Sequence, residues 1–378
     1  MVEVFQLLLS LFIAFLSIFL GTYLTYFVYM WRCARRPWKL KAIGNVQPKI
    51  TVLVPVHNEE KIIESKLRNI KEVFYSKENI EVIVVDDASD DHTLEKVGFF
   101  MENNPDLQLS IVKQNPRVGK STALNKALDF SSNQIVIVSD ADTFWPSNIL
   151  SEALPYLSDP EVGAVTGRSV NIDTFQSWVT KGENIYLRLT SLLRLGESKI
   201  NSTIRFEGGF CAYKRDAFKK FDSETGSDDS GTALEVVQNG YRAIMVPEAT
   251  FYTNFPTSFR SKLKIKVRRA NQLISLWVKC LKLMVKRKLR LSRRIVLPEL
   301  MLFIFNPIIL LALLATTLVT IVLFPFSQFS ITVMLLLCLV LIFAGRMLIE
   351  ILLDNLVLFY ALLTFLSGRG YIAWEKPS

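Results

Sequence analysis

The sequence predicts an α/β domain on a mostly parallel sheet, carried between apolar helices that enter a membrane. Three observations predict it. The chain has 378 residues, 50% of them hydrophobic, and the apolar excess sits at its two ends. Residues 48–257 are of ordinary composition and, at roughly 200 residues, long enough to bury a core of their own. Within that stretch β-branched runs alternate with helical periodicity, and carboxylates follow directly on two of the runs.

The first element is residues 1–31. No Asp, Glu, Lys or Arg falls between positions 5 and 30, and at ~1.5 Å per residue that stretch exceeds the ~30 Å of a hydrocarbon core. A signal peptide would have a basic front, a shorter apolar region and a small-residue cleavage site. Here the front carries Glu3 and the far flank is Trp31-Arg32-Cys33-Ala34-Arg35-Arg36. The expectation is an uncleaved anchor whose C-terminal end lies in the cytosol, the side toward which Lys and Arg are biased.

The domain 48–257 opens with a β-branched strand at 50–56, then a helix pattern through Ile63, Leu67 and Ile70. A strand at 80–85 is closed by Asp86-Asp87, and strands at 107–112 and 135–138 each follow a helical stretch. Such strands imply a parallel sheet covered on both faces, whose ligands bind beyond the carboxyl ends of the strands. A GxGxxG loop is absent, and Gly119-Lys120-Ser121 lacks the glycine that opens a P-loop. The cysteines Cys33, Cys211, Cys280 and Cys338 are scattered and the only histidines are His57 and His92. That excludes a zinc site and points to free thiols in a reducing compartment.

Residues 258–294 form the next unit. Between 259 and 294 there are fourteen Lys/Arg and no Asp or Glu. Apolar residues recur every three or four positions at Val267, Ala270, Ile274, Trp277, Leu281 and Met284, the pattern of an amphipathic helix at a membrane surface. Its cations are read as facing anionic headgroups rather than nucleic acid, because the stretch runs straight into an apolar segment. Residues 178–195, with Trp178, Ile185, Leu189, Leu192 and Leu193, read equally as a second interfacial helix or as one packed on the core. A span follows at 299–324, which Pro298 and Pro307 can bend. In 329–367, Arg346, Glu350 and Asp354 recur at i, i+4, i+8 and can pair with one another. That segment is one long helix or two spans. The whole is expected to be a multi-pass protein of the cell membrane with its domain in the cytosol.

Three acidic constellations carry the chemistry. Asp140-Ala141-Asp142 follows the strand at 135–138, and in extended geometry both carboxylates point to one side, where they suit one hard divalent cation. Asp86-Asp87-Ala88-Ser89-Asp90-Asp91 stacks like charges at a strand end, which is costly unless cations or hydrogen bonds offset them. Ser227-Asp228-Asp229-Ser230-Gly231 opens a helix and offers an aspartate that can take a proton from a hydroxyl. Taken singly, each has a plain alternative as a helix cap or loop.

Their order is more specific. Val54-Pro55-Val56-His57-Asn58-Glu59-Glu60, Val84-Val85-Asp86-Asp87, Gly119-Lys120-Ser121-Thr122-Ala123-Leu124-Asn125 and Ser139-Asp140-Ala141-Asp142, with Gly208-Gly209-Phe210 and Asp228-Asp229 after them, resemble the inverting family-2 glycosyltransferases of the GT-A fold. With its flanking spans the chain looks like a small cellulose-synthase-like enzyme. The resemblance implies a nucleotide-sugar donor and a Mn²⁺ or Mg²⁺ cofactor. It implies Pro55, Glu59 and Asp87 around the nucleoside, with Asp86 adjacent, and Lys120 near the donor. Asp142 and Asp140 are implied as metal ligands, Gly208 and Gly209 as an acceptor-side turn, and Asp229, beside Asp228, as the base. Processive members carry QxxRW after the base. The stretch here is Lys266-Val267-Arg268-Arg269-Ala270, in which Arg268 or Arg269 can still hold the departing diphosphate.

The expected reaction is therefore transfer of one hexose, with mannose from GDP-mannose as the named candidate, to a polyprenyl- or dolichyl-linked glycan. A polyprenyl-phosphate hexose synthase and a processive polysaccharide synthase are the other enzyme readings. A membrane scaffold that has lost catalysis is the reading from a different class.

Overall fold

The computed structural model describes residues 1–42, 44, 47–172, 178–254 and 258–368; within its helices the side chains of 178–181, 183, 337 and 343–347, Trp178 and Arg346 among them, lie outside the described residues. Helix α1 (Val2–Ala34) leads to β1 (Ile50–Val56), α2 (Ile63–Lys71), β2 (Ile80–Asp87), α3 (Thr93–Asn103), β3 (Gln108–Gln114), α4 (Lys120–Phe130) and β4 (Ile135–Val138). Then come β5 (Thr143–Phe144), α5 (Ile149–Ala153), β6 (Val162–Asn171), α6 (Trp178–Ile200), β7 (Cys211–Lys214), α7 (Asp228–Gln238) and β8 (Arg242–Thr253). Four helices close the chain: α8 (Phe259–Val285), α9 (Arg293–Leu300), α10 (Asn306–Leu323) and α11 (Gln328–Leu366).

The strands form one sheet in the order β3-β2-β1-β4-β7-β6-β8-β5. The first four are parallel, as the alternation of strand and helix requires. At β7 the sheet turns antiparallel to both β4 and β6, while β6 runs parallel to β8. This half is missing from the sequence reading for a physical reason. β7 is four residues long, and the β6–β8 register shifts between Thr166 and Arg168, which breaks the period of two.

The pleat divides the core. Leu53, Ile83 and Val85 face α4 and α7, whereas Val52, Val82 and Val84 face α2, α3 and α5. The same alternation places Asp86 and Asp87, both inside β2, on opposite faces of the sheet. The like charges expected to stack are thus separated by the backbone.

Three helices among the described residues are long and apolar enough to cross a membrane, Val2–Ala34, Arg293–Leu323 and Leu348–Leu366, and the apolar stretch Gln328–Ile342 is shorter. These suit the chain to a membrane. A π-helical turn, Met301–Phe305, joins α9 to α10 between the two prolines expected to bend this segment. α11 runs without a break from Gln328 to Leu366. Glu350 and Asp354 find their partners across on α8. Lys262 Nζ is 2.7 Å from Glu350 Oε1, and Lys266 Nζ lies 3.0 Å from Glu350 Oε2 and 2.5 Å from Asp354 Oδ1. The apolar stripe of α8, expected to face lipid, is instead covered by protein. Ala270 and Ile274 pack on Val357, Ala361 and Leu362 of α11, and Trp277 joins the domain core.

The domain is fastened to its membrane helices by close packing and by a buried polar network. A Cβ on Gly196 of α6 would lie 2.5 Å from the Met30 carbonyl oxygen of α1, so only glycine permits this approach. Beside it, Arg205 Nη2 meets Glu197 Oε1 at 2.8 Å and Glu299 Oε1 at 3.1 Å, and the Tyr26 hydroxyl donates to Glu197 Oε1 at 2.8 Å. Glu197 and Glu299 are buried. Removing the cation leaves the two buried acid side chains without it. Arg205→Met is expected to cost about 3–5 kcal/mol, the range for breaking a buried pair, and to lower the unfolding temperature in detergent.

Candidate active site

Segments distant in sequence meet at the carboxyl ends of β1, β2 and β4, where a cleft is lined by Pro55, His57, Glu59, Asp87, Lys120, Asp140 and Asp142. The wall beside β1 is locked by reciprocal bonds. Asn58, at φ +56°, donates from Nδ2 to Asp90 Oδ1 at 2.6 Å and accepts from the Asp90 amide at 3.0 Å. The Glu59 amide donates to Thr93 Oγ1 at 2.7 Å. His57 Nδ1 is 2.9 Å from the Asp87 carbonyl oxygen; a carbonyl only accepts, so Nδ1 carries the proton.

Asp86 and Asp87 do different work. Asp86 accepts from the Ser89 amide and hydroxyl and shapes the turn after β2. Asp87 accepts from Gln114 Nε2 at 2.7 Å and from the amides of Val118 and Gly119 at 3.0 Å. Gly119 adopts φ +103°, a conformation other residues enter at a cost, and there it starts α4. The consequence is the placement of Lys120, the first residue of that helix.

Lys120 Nζ stands 2.7 Å from Asp140 Oδ1 and 3.0 Å from Asp228 Oδ2. Burial works against its charge, but Asp140, Asp228 and Asp229 outweigh burial and hold it well above the ordinary lysine range. For Asp140 burial is likewise overcome, chiefly by Lys120, and its carboxyl lies below the usual range. Asp228 goes the other way. Burial, with Asp229 and Asp140 nearby, pushes it up to about 6 against the pull of Lys120.

Asp140-Ala141-Asp142 lies in a turn rather than in extended chain. The Thr143 amide and hydroxyl both donate to the Asp140 carbonyl, at 3.3 and 2.9 Å, and close the turn. Both carboxylates nonetheless line the cleft. The bed of the turn is the glycine pair. The Asp140 amide donates to the Gly208 carbonyl at 2.9 Å, and Trp145 Nε1 and Ser139 Oγ donate to the Gly209 carbonyl at 2.8 and 3.0 Å. A Cβ on Gly208 would stand 2.5 Å from Asp140 Oδ2.

At the far side, Asp228 is buried and Asp229 half-buried at the start of α7. Asp229 Oδ1 accepts from Ser227 Oγ at 2.5 Å and from the Ser230 amide at 2.6 Å. α8 holds the preceding loop, with Gln272 Nε2 donating to the Gly226 carbonyl at 2.5 Å and Lys279 Nζ to Asp222 Oδ1 at 2.9 Å. The same helix brings Arg268 into the field of Asp140, Asp142 and Asp228; burial nevertheless lowers its pKa from the usual arginine value, with Arg269 adding to the effect. Arg269 is exposed.

Two features escaped the sequence reading of the site. His57 stood inside a quoted motif without a role. Lys66 lies in none of the motifs, although the sequence signals it. Ile63, Lys66, Leu67 and Ile70 follow the i, i+3, i+4, i+7 pattern, so a lysine occupies the core stripe of α2. It is fully buried, and burial lowers it to about 7 while Asp140 and Asp142 oppose the fall.

Residues 51–222 match the family described as glycosyl transferase family 2. That segment is similar in sequence to a family-2 glycosyltransferase domain. The structure is similar to that of the mannosyltransferase PcManGT from Pyrobaculum calidifontis in complex with GDP-Man and Mn²⁺, with a TM-score of 0.83 and 29% identity over 96% of this chain and 99% of that one. A probable glycosyltransferase, YdaM, of Bacillus subtilis is 29% identical over 61% of this chain and 56% of its own length. A poly-beta-1,6-N-acetyl-D-glucosamine synthase of Staphylococcus aureus is 28% identical over 58% and 53%. The chain thus spans about half the length of these two relatives.

A test of this site needs only the glycine bed. Gly208→Ala is expected to displace the Asp140 carboxylate and cut glycosyl transfer by about 10²-fold, the scale of a misplaced catalytic group, with a folded protein by circular dichroism.

Proposed function

We propose that the protein is an inverting, metal-dependent hexosyltransferase that moves one hexose, mannose from GDP-mannose, to a lipid-linked glycan at the membrane surface. The observation that carries this reading is the position of Lys120 between Asp140 and Asp228. It joins the donor end of the sheet to the start of α7, so a leaving diphosphate and an attacking hydroxyl can share one cleft. The likeness to a mannosyltransferase along nearly the whole chain supports the choice of donor.

Asp140 and Asp142 suit a hard divalent cation, Mn²⁺ or Mg²⁺, since they supply carboxylate oxygens only. No group of three or more His, Cys, Asp or Glu gathers for a metal among the described residues. The remaining positions therefore fall to water and the donor diphosphate. When bound, the cation offsets the charge of the departing nucleoside diphosphate.

The chain's own groups do the rest. Pro55, Glu59 and Asp87 wall the nucleoside end, with Asp86 shaping the adjoining turn. Arg268, whose planar guanidinium matches phosphate oxygens, and Lys120 face the leaving group. Asp229, half-exposed at the head of α7, takes the proton of the acceptor hydroxyl. Attack from the side opposite the leaving diphosphate inverts the anomeric carbon. Asp228, buried against Lys120, keeps that lysine in place. The fourteen cations between 259 and 294 would lie on the cytosolic side, near anionic headgroups and a polyprenyl- or dolichyl-linked acceptor.

Chelation tests the metal. EDTA should abolish mannose transfer from GDP-mannose to a lipid extract, and Mn²⁺ or Mg²⁺ should restore it. Asp142→Asn should lose nucleotide binding together with turnover, and full activity in that variant would remove the metal assignment.

The base is tested by splitting affinity from rate. Asp229→Asn should cut turnover by ~10²–10⁴-fold, the usual contribution of a general base, with nucleotide affinity nearly unchanged. Asp228→Asn should be milder in rate and weaken nucleotide binding, because it frees Lys120. The reverse result would move the base to Asp228. If neither variant slows turnover, the acceptor is an already ionised lipid phosphate, which needs no base.

A further inference from the structure

Lys66 is the one buried lysine whose side chain reaches beneath the Asp140-Ala141-Asp142 turn among the described contacts. Its Nζ donates to Ser139 Oγ at 2.6 Å and to the Thr143 carbonyl at 2.6 Å. These acceptors flank the turn on its two sides, so one nitrogen closes it from below. Ser139 Oγ passes its own hydrogen to the Gly209 carbonyl at 3.0 Å, and the Trp145 indole lies 4.6 Å from Nζ. Protonated or not, an amine has hydrogens for both bonds. A leucine or methionine would fill this stripe of α2 without the cost of burying an ionisable amine. A residue that breaks the local rule at such a cost belongs to the site rather than to the core.

We propose that Lys66 is a positioning residue for the divalent cation and the donor diphosphate, fixing Asp140 and Asp142 in the arrangement that binds them without touching either ligand. This rests on the metal-dependent reading above. Groups that orient metal ligands typically change metal affinity by about 10–100-fold when removed.

The test is Mn²⁺ binding by the full-length protein in detergent with GDP or UDP, followed by electron paramagnetic resonance, alongside donor KM and kcat over a range of Mn²⁺ concentration. Lys66→Met should weaken Mn²⁺ binding by about 10–100-fold and shift the Mn²⁺ midpoint of activity upward, with much of kcat regained at saturating metal. A purely structural role would lower the unfolding temperature and the active fraction but leave the Mn²⁺ midpoint where it was. That outcome overturns the proposal. If Lys66→Met does not fold, Ser139→Ala decides. It removes one of the two acceptors and should shift the midpoint in the same direction, and an unchanged midpoint counts against Lys66 as fully. Wild-type protein that binds no Mn²⁺ with either nucleotide would instead sink the glycosyltransferase chemistry assigned above, a result distinct from a normal wild type with an unshifted variant.

Discussion

The ion pairs of Lys120 with Asp140 and Asp228 are what the rest of the site is built around. Carboxylates gathered at strand ends raise one another's pKa and lose solvation, and they stay ionised only where cations are threaded among them. Lys120 answers both demands. Its own place is set by a chain of causes that begins at β2, where the pleat turns Asp87 toward α4. Asp87 then gathers the amides of Val118 and Gly119, and the positive φ of Gly119 aims the first turn of α4 into the cleft. Asp228 shows the limit of the compensation. It remains above the ordinary carboxylate range, first because it is buried, and this is a reason to treat it as a holder of Lys120 rather than as the group exposed to the acceptor.

The membrane helices are part of the same mechanical unit. α8 runs from the head of the C-terminal segment past the cleft, holds Gly226 and Asp222 of the loop before α7, and docks α11 through Lys262 and Lys266. A displacement of α8 therefore moves both Arg268 and the loop that presents Asp229. On the other side, Gly196 lets α6 lie against α1, and Arg205 joins Glu197 to Glu299. Such a buried network adds little net stability when complete, but it resists any arrangement in which one partner is missing. It fixes the orientation of the domain on its membrane helices more than it strengthens the fold.

The sequence made the parallel half of the sheet legible because β1, β2 and β4 are buried on both faces and read as unbroken apolar runs. The antiparallel half was not legible. Gly163, Gly167 and Arg168 interrupt β6, and two glycines at 208 and 209 precede the short β7, so neither shows a strand period. The candidate site was legible as a set of motifs, because Pro55, Glu59, Asp87, Lys120, Asp140 and Asp142 do converge on one cleft. What escaped was its support. Lys66 interrupts no motif, and its role depends on Ser139 and Thr143, more than 70 positions away. Similarly, periodicity found the apolar stripe of α8 but not its partner, since a stripe packs as readily on a neighbouring helix as on lipid.

That stripe bears on what kind of transfer the cleft can support. The stretch Lys266-Val267-Arg268-Arg269-Ala270, expected from the resemblance to stand where processive members carry QxxRW, has its end positions engaged elsewhere. Lys266 is paired with Glu350 and Asp354, and Ala270 is buried against α11. A tryptophan at 270 would have to displace the helix that Ala270 packs on, because a fully packed contact does not admit an indole in place of a methyl group. Arg268, between those ends, is drawn into the field of Asp140, Asp142 and Asp228, so the segment keeps a group that suits a diphosphate while lacking the aromatic platform for a growing chain. The docked C-terminal helix thus leaves no room at position 270 for such a platform.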